Sequence, residues 1–256
     1  MSDDGIPVLL YHAVSDVARP GLERWTVSRA AFDDHVARIA ASGRVPLTIP
    51  ELADGLRGER PLPDRPVAVT FDDGYDDTLA AVGLLADRGI AATVYATVSS
   101  LGTTGMLTAD HLADLARVAR VEVGAHGMTH RRLDELDRAD IVHELVASRG
   151  CIEAMTGRPC TTFAYPHGAH DRRVLTAVVA AGYRSGAAVK NALSHRGDDP
   201  FAIARVTIEA GTSTSDLERV LAGVRGLAPR HDRLRTRGYR WARRTRSRLL
   251  AGTARR

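Results

Sequence analysis

Seven short apolar segments recur along this chain, each followed by a helical pattern, and that alternation limits the fold more than any other feature. The segments are residues 7–11, 67–71, 92–97, 121–124, 162–165, 183–187 and 202–207. Most are uninterrupted runs rich in Val, Ile, Phe and Tyr, as expected of strands buried on both faces. Between them, Phe32, Val36, Ile39 and Ala40 fall on one helical face, as do Leu79, Val82, Leu85 and Ala86. Thr108, Asp171 and Ser213 stand where N-caps would start further helices, and Gly89, Gly157 and Gly182 stand where helices would stop. Asp76 and Asp77 read as caps for the helix after the second segment.

Strands that alternate with helices form a parallel sheet. The sheet can be open and doubly wound, or closed into a (β/α) barrel of about seven parallel strands. The positions of the polar residues favour the barrel. His12 follows the first segment, Asp72 and Asp73 the second, His126 the fourth and His167 the fifth. A barrel gathers all these strand ends on one face, whereas an open sheet spreads them along an edge.

Charge divides the chain in two. Residues 228–256 hold 11 arginines and one acid, Asp232, which leaves 24 basic and 30 acidic residues in 1–227. The net charge of +4 is therefore −6 for a barrel domain, 1–227, and +10 for an Arg-rich tail, 228–256. In the tail Arg230, Arg233, Arg237, Arg240, Arg244 and Arg248 recur at helical spacing, with Leu234, Trp241, Thr245 and Leu249 on a more apolar stripe. A basic amphipathic helix of this kind suits an anionic membrane surface. Nucleic acid is the weaker partner class for such a charge run, and a solvated tail is the plain alternative. The start of the chain carries no secretory signal and no apolar run is long enough to span a bilayer. The expected location is cytoplasmic, peripheral at the inner membrane face if the tail binds there. The two cysteines, Cys151 and Cys160, are expected as free thiols.

Three motifs carry chemistry. Thr70-Phe71-Asp72-Asp73-Gly74 runs an apolar strand into two adjacent carboxylates, which repel each other unless something positive sits nearby. His126-Gly127-Met128-Thr129-His130 spaces two histidines so that both can reach one metal ion. Phe163-Ala164-Tyr165-Pro166-His167-Gly168 bends the chain at a strand end and turns backbone N–H groups outward, where they could hold an oxyanion. Taken singly, each of these is also compatible with an ordinary polar turn. Together, one Asp and two His form a facial set with open positions, which is the form of a catalytic metal site.

These residues resemble the polysaccharide deacetylase family, also called the NodB-homology domain or carbohydrate esterase family four, over roughly residues 5–210. The first two motifs, with Leu133 after the second, are the more specific; the third is looser. Tyr11-His12 and the segment 25–56 resemble the branch that acts on poly-N-acetylglucosamine. The resemblance implies a distorted barrel and metal-dependent removal of an acetyl group from an amino sugar in a glycan, oligosaccharide or lipid-linked precursor. It implies Asp73, His126 and His130 as ligands of one divalent ion, with zinc expected from the donor types. It further implies Asp72 as general base, and Tyr165, Pro166 and His167 as the substrate and oxyanion turn. The sequence departs from the family pattern in two places. Ala164 stands where many members carry the arginine that orients the base, and Arg205 is the expected replacement. The late leucine-x-histidine motif that supplies the acid is missing, and His12 is the expected acid, with the His167 side chain as its rival. The loss of the arginine also leaves room for a weakened barrel that only binds glycan or membrane. A hydrolase of another amide or a cyclic imide is a further alternative.

Overall fold

The computed structural model describes residues 5–224. The Arg-rich tail expected over 228–256 lies outside the described residues.

All seven expected strands form. In chain order, the first elements are β1 (Val8–Tyr11), β2 (Ala13–Val14), β3 (Thr26–Val27), α1 (Arg29–Ala41), β4 (Val45–Pro46) and α2 (Ile49–Leu56). There follow β5 (Pro66–Phe71), α3 (Thr78–Ala86), β6 (Ala92–Ala96), α4 (Ala109–Arg117), β7 (Val121–Ala125) and α5 (Arg138–Thr156). The chain continues with β8 (Thr162–Ala164), α6 (Arg172–Ala180), β9 (Ser185–Ala187), β10 (Val206–Thr207) and α7 (Thr214–Leu221). The main sheet runs β10-β1-β5-β6-β7-β8-β9, and every pairing along it is parallel. The loop before β10 closes the ring: Ile203 bridges Ala187, and its N–H donates to Gly186 O. The sheet is therefore a distorted barrel, as expected from the strand ends. The last strand is shorter than the sequence suggests. Only Val206–Thr207 joins the ladder to β1, while Ala204 and Arg205 lie outside named strands between the Ile203 bridge and β10.

The period-two geometry of strands sorts the core into two parts. Leu9, Tyr11, Val67, Val69, Phe71, Val94, Val123 and Phe163 belong to the larger cluster, packed against Phe32, Val36, Val82, Leu85, Leu112, Leu145 and Val174 from the surrounding helices. Val8, Ala68, Tyr95, Ala164, Ala187 and Ile203 turn the other way, into the barrel, and meet Ile49, Leu52 and Ala53 of α2. The Ile49 N–H donates to Thr93 Oγ1 at 2.9 Å, fixing α2 against the barrel interior. Counting by twos from these inward residues reaches His12 after Val8, Asp72 after Ala68, Pro166 after Ala164 and Arg205 after Ile203. The alternation that builds the interior thus also aims polar residues at its C-terminal mouth.

Caps formed largely as the sequence indicates. The side chains of Thr108, Asp171 and Ser213 accept N–H groups of the helices they precede, and Gly157 ends α5 with φ of 67°. Asp76 and Asp77 depart from their expected capping role. Asp77 Oδ1 accepts the Val14 N–H at 3.1 Å, and Asp76 pairs with Arg19 at 2.6 Å. The Val14 N–H of β2 takes the carboxylate that would have capped α3.

Candidate active site

The turn after β5 brings two adjacent carboxylates to the barrel mouth and sends them to different partners. Asp72 is 2% exposed. Its two oxygens accept both terminal nitrogens of the fully buried Arg205, Nη1 to Oδ1 at 2.6 Å and Nη2 to Oδ2 at 2.8 Å. Arg205 Nη1 also donates to Thr70 Oγ1 at 3.2 Å and its Nε to Ala188 O at 3.2 Å, with the guanidinium 5.6 Å from the centre of the Tyr95 ring. Burial alone would raise the Asp72 carboxyl; the Arg205 charge, with that of His126, outweighs it and holds the group below the ordinary carboxylate range. Arg205, expected at the end of a late strand, stands instead just before β10, and it is paired with the base candidate.

Asp73 faces the histidines. Its Oδ1 lies 3.1 Å from His130 Nε2 and 3.4 Å from His126 Nε2, and the three ligand atoms lie within 4.8 Å of one another. His126 follows β7 directly, and its Nδ1 lies 2.9 Å from the Ala164 carbonyl. A carbonyl only accepts, so Nδ1 carries a proton, and in the neutral ring it is Nε2 that turns a lone pair toward Asp73. Asp73 Oδ1 is buried with no aligned hydrogen-bond donor among the described residues. In the neutral ring the lone pair and the carboxylate repel unless a positive charge lies between them; without a metal, and against its burial, the Asp72 and Asp73 charges hold a proton on the ring instead, raising it above the ordinary imidazole range. A divalent cation satisfies all three donors at once, so the residues fit the metal that the motifs imply.

Three residues here hold a left-handed backbone although none is glycine: Asp73 (φ 73°), His130 (φ 59°) and His167 (φ 57°). Each such conformation costs roughly 1–2 kcal/mol, and strain of this kind collects at functional sites. Tyr75, not singled out in the sequence, packs beside Asp73; its burial, reinforced by the Asp73 charge, raises its phenol.

The turn after β8 contributes unequally. The His167 ring is exposed and centred 4.5 Å from that of His130. Pro166 is buried close to Gly127. The Tyr165 side chain points outward by strand parity; its hydroxyl donates to Phe201 O at 2.8 Å and its ring stacks on His170. Only the main chain of Tyr165 is thus available to the mouth. His12 enters from β1, its ring 5.3 Å from that of Trp25 and its Nδ1 buried with no hydrogen-bond partner among the described residues. Burial lowers the His12 ring, with Asp73 and Asp72 drawing it back up.

Glu144 also lies outside the sequence motifs. It is 2% exposed on α5 and binds the loop that carries His130. Its place between Ile141 and Leu145, on the buried face of the helix, is the signal that marks it.

Comparison with known proteins agrees with this geometry. The chain is 26% identical over 211 residues to YxkH of Bacillus subtilis, a presumed polysaccharide deacetylase, covering 82% of this chain and 74% of that one. It is 33% identical over 73 residues to the poly-beta-1,6-N-acetyl-D-glucosamine N-deacetylase of Escherichia coli K12, covering 28% of this chain and 11% of that protein. The fold matches the Streptococcus pyogenes deacetylase PplD, solved with acetate, at a TM-score of 0.77 and 19% identity over 85% of this chain and 98% of that one. A sequence model of the polysaccharide deacetylase family matches residues 59–186, half of the chain, and the chain belongs to that family of metal-dependent hydrolases.

Proposed function

We propose that this chain removes the acetyl group from an N-acetylated amino sugar in a glycan, oligosaccharide or lipid-linked precursor, with Asp73, His126 and His130 holding one zinc ion. The observation that carries this reading is the pairing of Asp72 with Arg205 directly beside the convergent Asp73, His126 and His130. Bound there, the ion would polarise the amide carbonyl and lower the pKa of the attacking water. Asp72 takes the proton of that water. Arg205 fixes the plane of the carboxylate and keeps it ionised, so that it is ready to accept. The backbone N–H of His167, presented by the Tyr165-Pro166-His167 turn, donates to the oxyanion that forms as the carbonyl is attacked. His12 delivers a proton to the departing nitrogen, because an amide anion is a very poor leaving group.

The short match to a poly-N-acetylglucosamine deacetylase supports an amino-sugar substrate. The Arg205 pair counts against the reading as a weakened binding barrel, since that reading rested on the arginine missing at Ala164. The basic pattern of 228–256 supports contact with an anionic membrane surface on the cytoplasmic side. No helix among the described residues is long and apolar enough to cross a membrane.

The test is acetate release from a panel of N-acetylated sugars and oligosaccharides, measured with metal analysis of the same preparation. Metal-dependent acetate release supports the reading. A metal-loaded protein that releases no acetate from any of them, but opens a cyclic imide, would replace it.

A further inference from the structure

His126 and His130 are held in different ways. His126 is fixed by a strand on one side and by the Ala164 carbonyl on the other. His130 is one-third exposed and sits on a loop, with its ring against Asp73, His126 and His167. The carbonyls of Gly127 and Met128 accept the N–H groups of Val98 and Ser99 at 3.2 and 2.8 Å, and the donors on the other side of the loop meet a single carboxylate. Glu144 Oε2 accepts the N–H of Met128 at 2.8 Å and that of Thr129 at 3.0 Å, and its Oε1 accepts the Thr129 hydroxyl. Three donors from the two residues before His130 thus converge on one buried side chain. A carboxylate is costly to bury without such partners, so the loop and Glu144 hold each other in one arrangement.

The backbone is fitted to this contact. Gly127 has φ of 82°, and a Cβ there would stand 3.0 Å from Glu144 Oε2. Only glycine lets the loop come this close with that backbone. The loop then ends in the left-handed turn at His130 that brings its Nε2 to Asp73.

We propose that Glu144 is a positioning residue of the metal site: by clamping Met128 and Thr129 it sets where His130 Nε2 stands, and so sets the affinity for the divalent ion. This rests on the reading of Asp73, His126 and His130 as ligands. Glu144 reaches none of the reacting atoms and acts through the loop alone. Its geometry matters more than its charge. A glutamine can turn its single oxygen to both N–H groups and its amide nitrogen to the Thr129 hydroxyl, which accepts as readily as it donates.

The full chain, stripped of metal, is titrated with zinc against a competing chromophoric chelator. Glu144→Ala should bind zinc on the order of 10–100-fold more weakly than the unaltered chain, the range for loss of a group supporting a ligand. Glu144→Gln should restore most of that affinity. Ser148→Ala is the control for general loss of stability. Its hydroxyl is buried one turn further along α5, bonded to Glu144 O and near the Tyr183 hydroxyl. It should lower the melting temperature and leave zinc affinity unchanged. Unaltered affinity in Glu144→Ala, or an equal loss in Ser148→Ala, overturns the proposal. If Glu144→Ala does not fold, Thr129→Val removes one of the three donors and decides it: weaker zinc binding supports the clamp, and unchanged binding overturns it. An unaltered chain that takes up no zinc strikes the ligand set itself, whereas normal uptake with an indifferent Glu144 strikes only this inference.

Discussion

Arg205 grips Asp72 with both terminal nitrogens at 2.6 and 2.8 Å; it stands just before β10, and Asp72 just after β5, with only β1 between those two strands. Two parallel N–H···O bonds fix a carboxylate in plane as well as in charge, and a lysine can supply only a point charge. Arg205→Lys should therefore retain metal and fold while lowering kcat on the order of 10–100-fold, as expected for loss of an orienting partner. Arg205→Met should be worse in a different way. It leaves a buried carboxylate unpaired, which costs about 3–5 kcal/mol of stability. Near-normal turnover in Arg205→Lys would mean that the pair is structural only.

Asp72 can be separated from its neighbour Asp73 by substitution. Asp72→Asn keeps the shape but cannot take a proton, so turnover should fall on the order of 10²–10⁴-fold with metal retained. His130→Ala removes a ligand and should greatly reduce metal content, measured by elemental analysis, in a chain that still folds. Full metal occupancy in His130→Ala would refute the ligand set. Near-normal turnover in Asp72→Asn would move the base elsewhere.

The strands and the site were legible for one reason: both follow from apolar runs that end abruptly in polar residues. The run 67–71 predicts a buried strand, and its ending in Asp72-Asp73-Gly74 predicts a strand end with chemistry. What escaped was local and polar. Helix α2 carries a capping box at Thr48 and Glu51, but Pro50 in its first turn reads as a breaker unless that box is recognised. Strands β2, β3 and β4 are two residues each, too short to leave a pattern. Glu144 falls on the apolar face of its helix, but nothing in the sequence shows the loop that its carboxylate holds. Asp77 shows the reverse error, since its place before a helix suggests a cap while a neighbouring strand N–H claims its carboxylate.

The two thiols offer a check on the packing that is independent of activity. Both cysteines are free; Cys151 is half-buried and Cys160 fully buried. Burial pushes the Cys160 thiol up to about 12. At pH 8 it stays protonated and shielded, and a buried thiol of this kind is inert. Titration of the native protein with a thiol reagent should therefore modify Cys151 alone, with Cys160 reacting only after denaturation. Simultaneous reaction of both in the native protein would contradict the packing around β8.

Removing residues 229–256 takes away most of the Arg-rich segment and none of the site residues, which all fall within 5–224. The truncated chain should fold and act on small substrates in solution. If the tail contacts a membrane surface, binding of the full chain to vesicles should require anionic lipid and weaken with salt. Equal binding with and without the tail would reject that role.

The proton donor is the most exposed part of the mechanism to test, because two histidines compete for it. His12 comes from the inward face of β1, with a buried Nδ1 that lacks a partner among the described residues. His167 comes from the turn after β8, is exposed, and lies against His130. Burial lowers both rings; at His12 the Asp73 and Asp72 charges draw the ring back up against Arg205 and His126, whereas at His167 the charges of His130, Arg132 and His126 all push it further down. The carboxylates thus favour the protonated form at His12, and the neighbouring positive charges disfavour it at His167. An acid works only while protonated, so activity falls as pH rises through its pKa, and a lowered pKa brings that fall to lower pH. His12→Asn should keep metal and fold, lower kcat, and abolish the alkaline limb of the pH–rate profile. Substrates with a less basic leaving nitrogen should lose less, since they need protonation less. If instead His12→Asn keeps full kcat and its alkaline limb while His167→Asn loses both, the acid is His167, and the orphaned Nδ1 of His12 has some other partner.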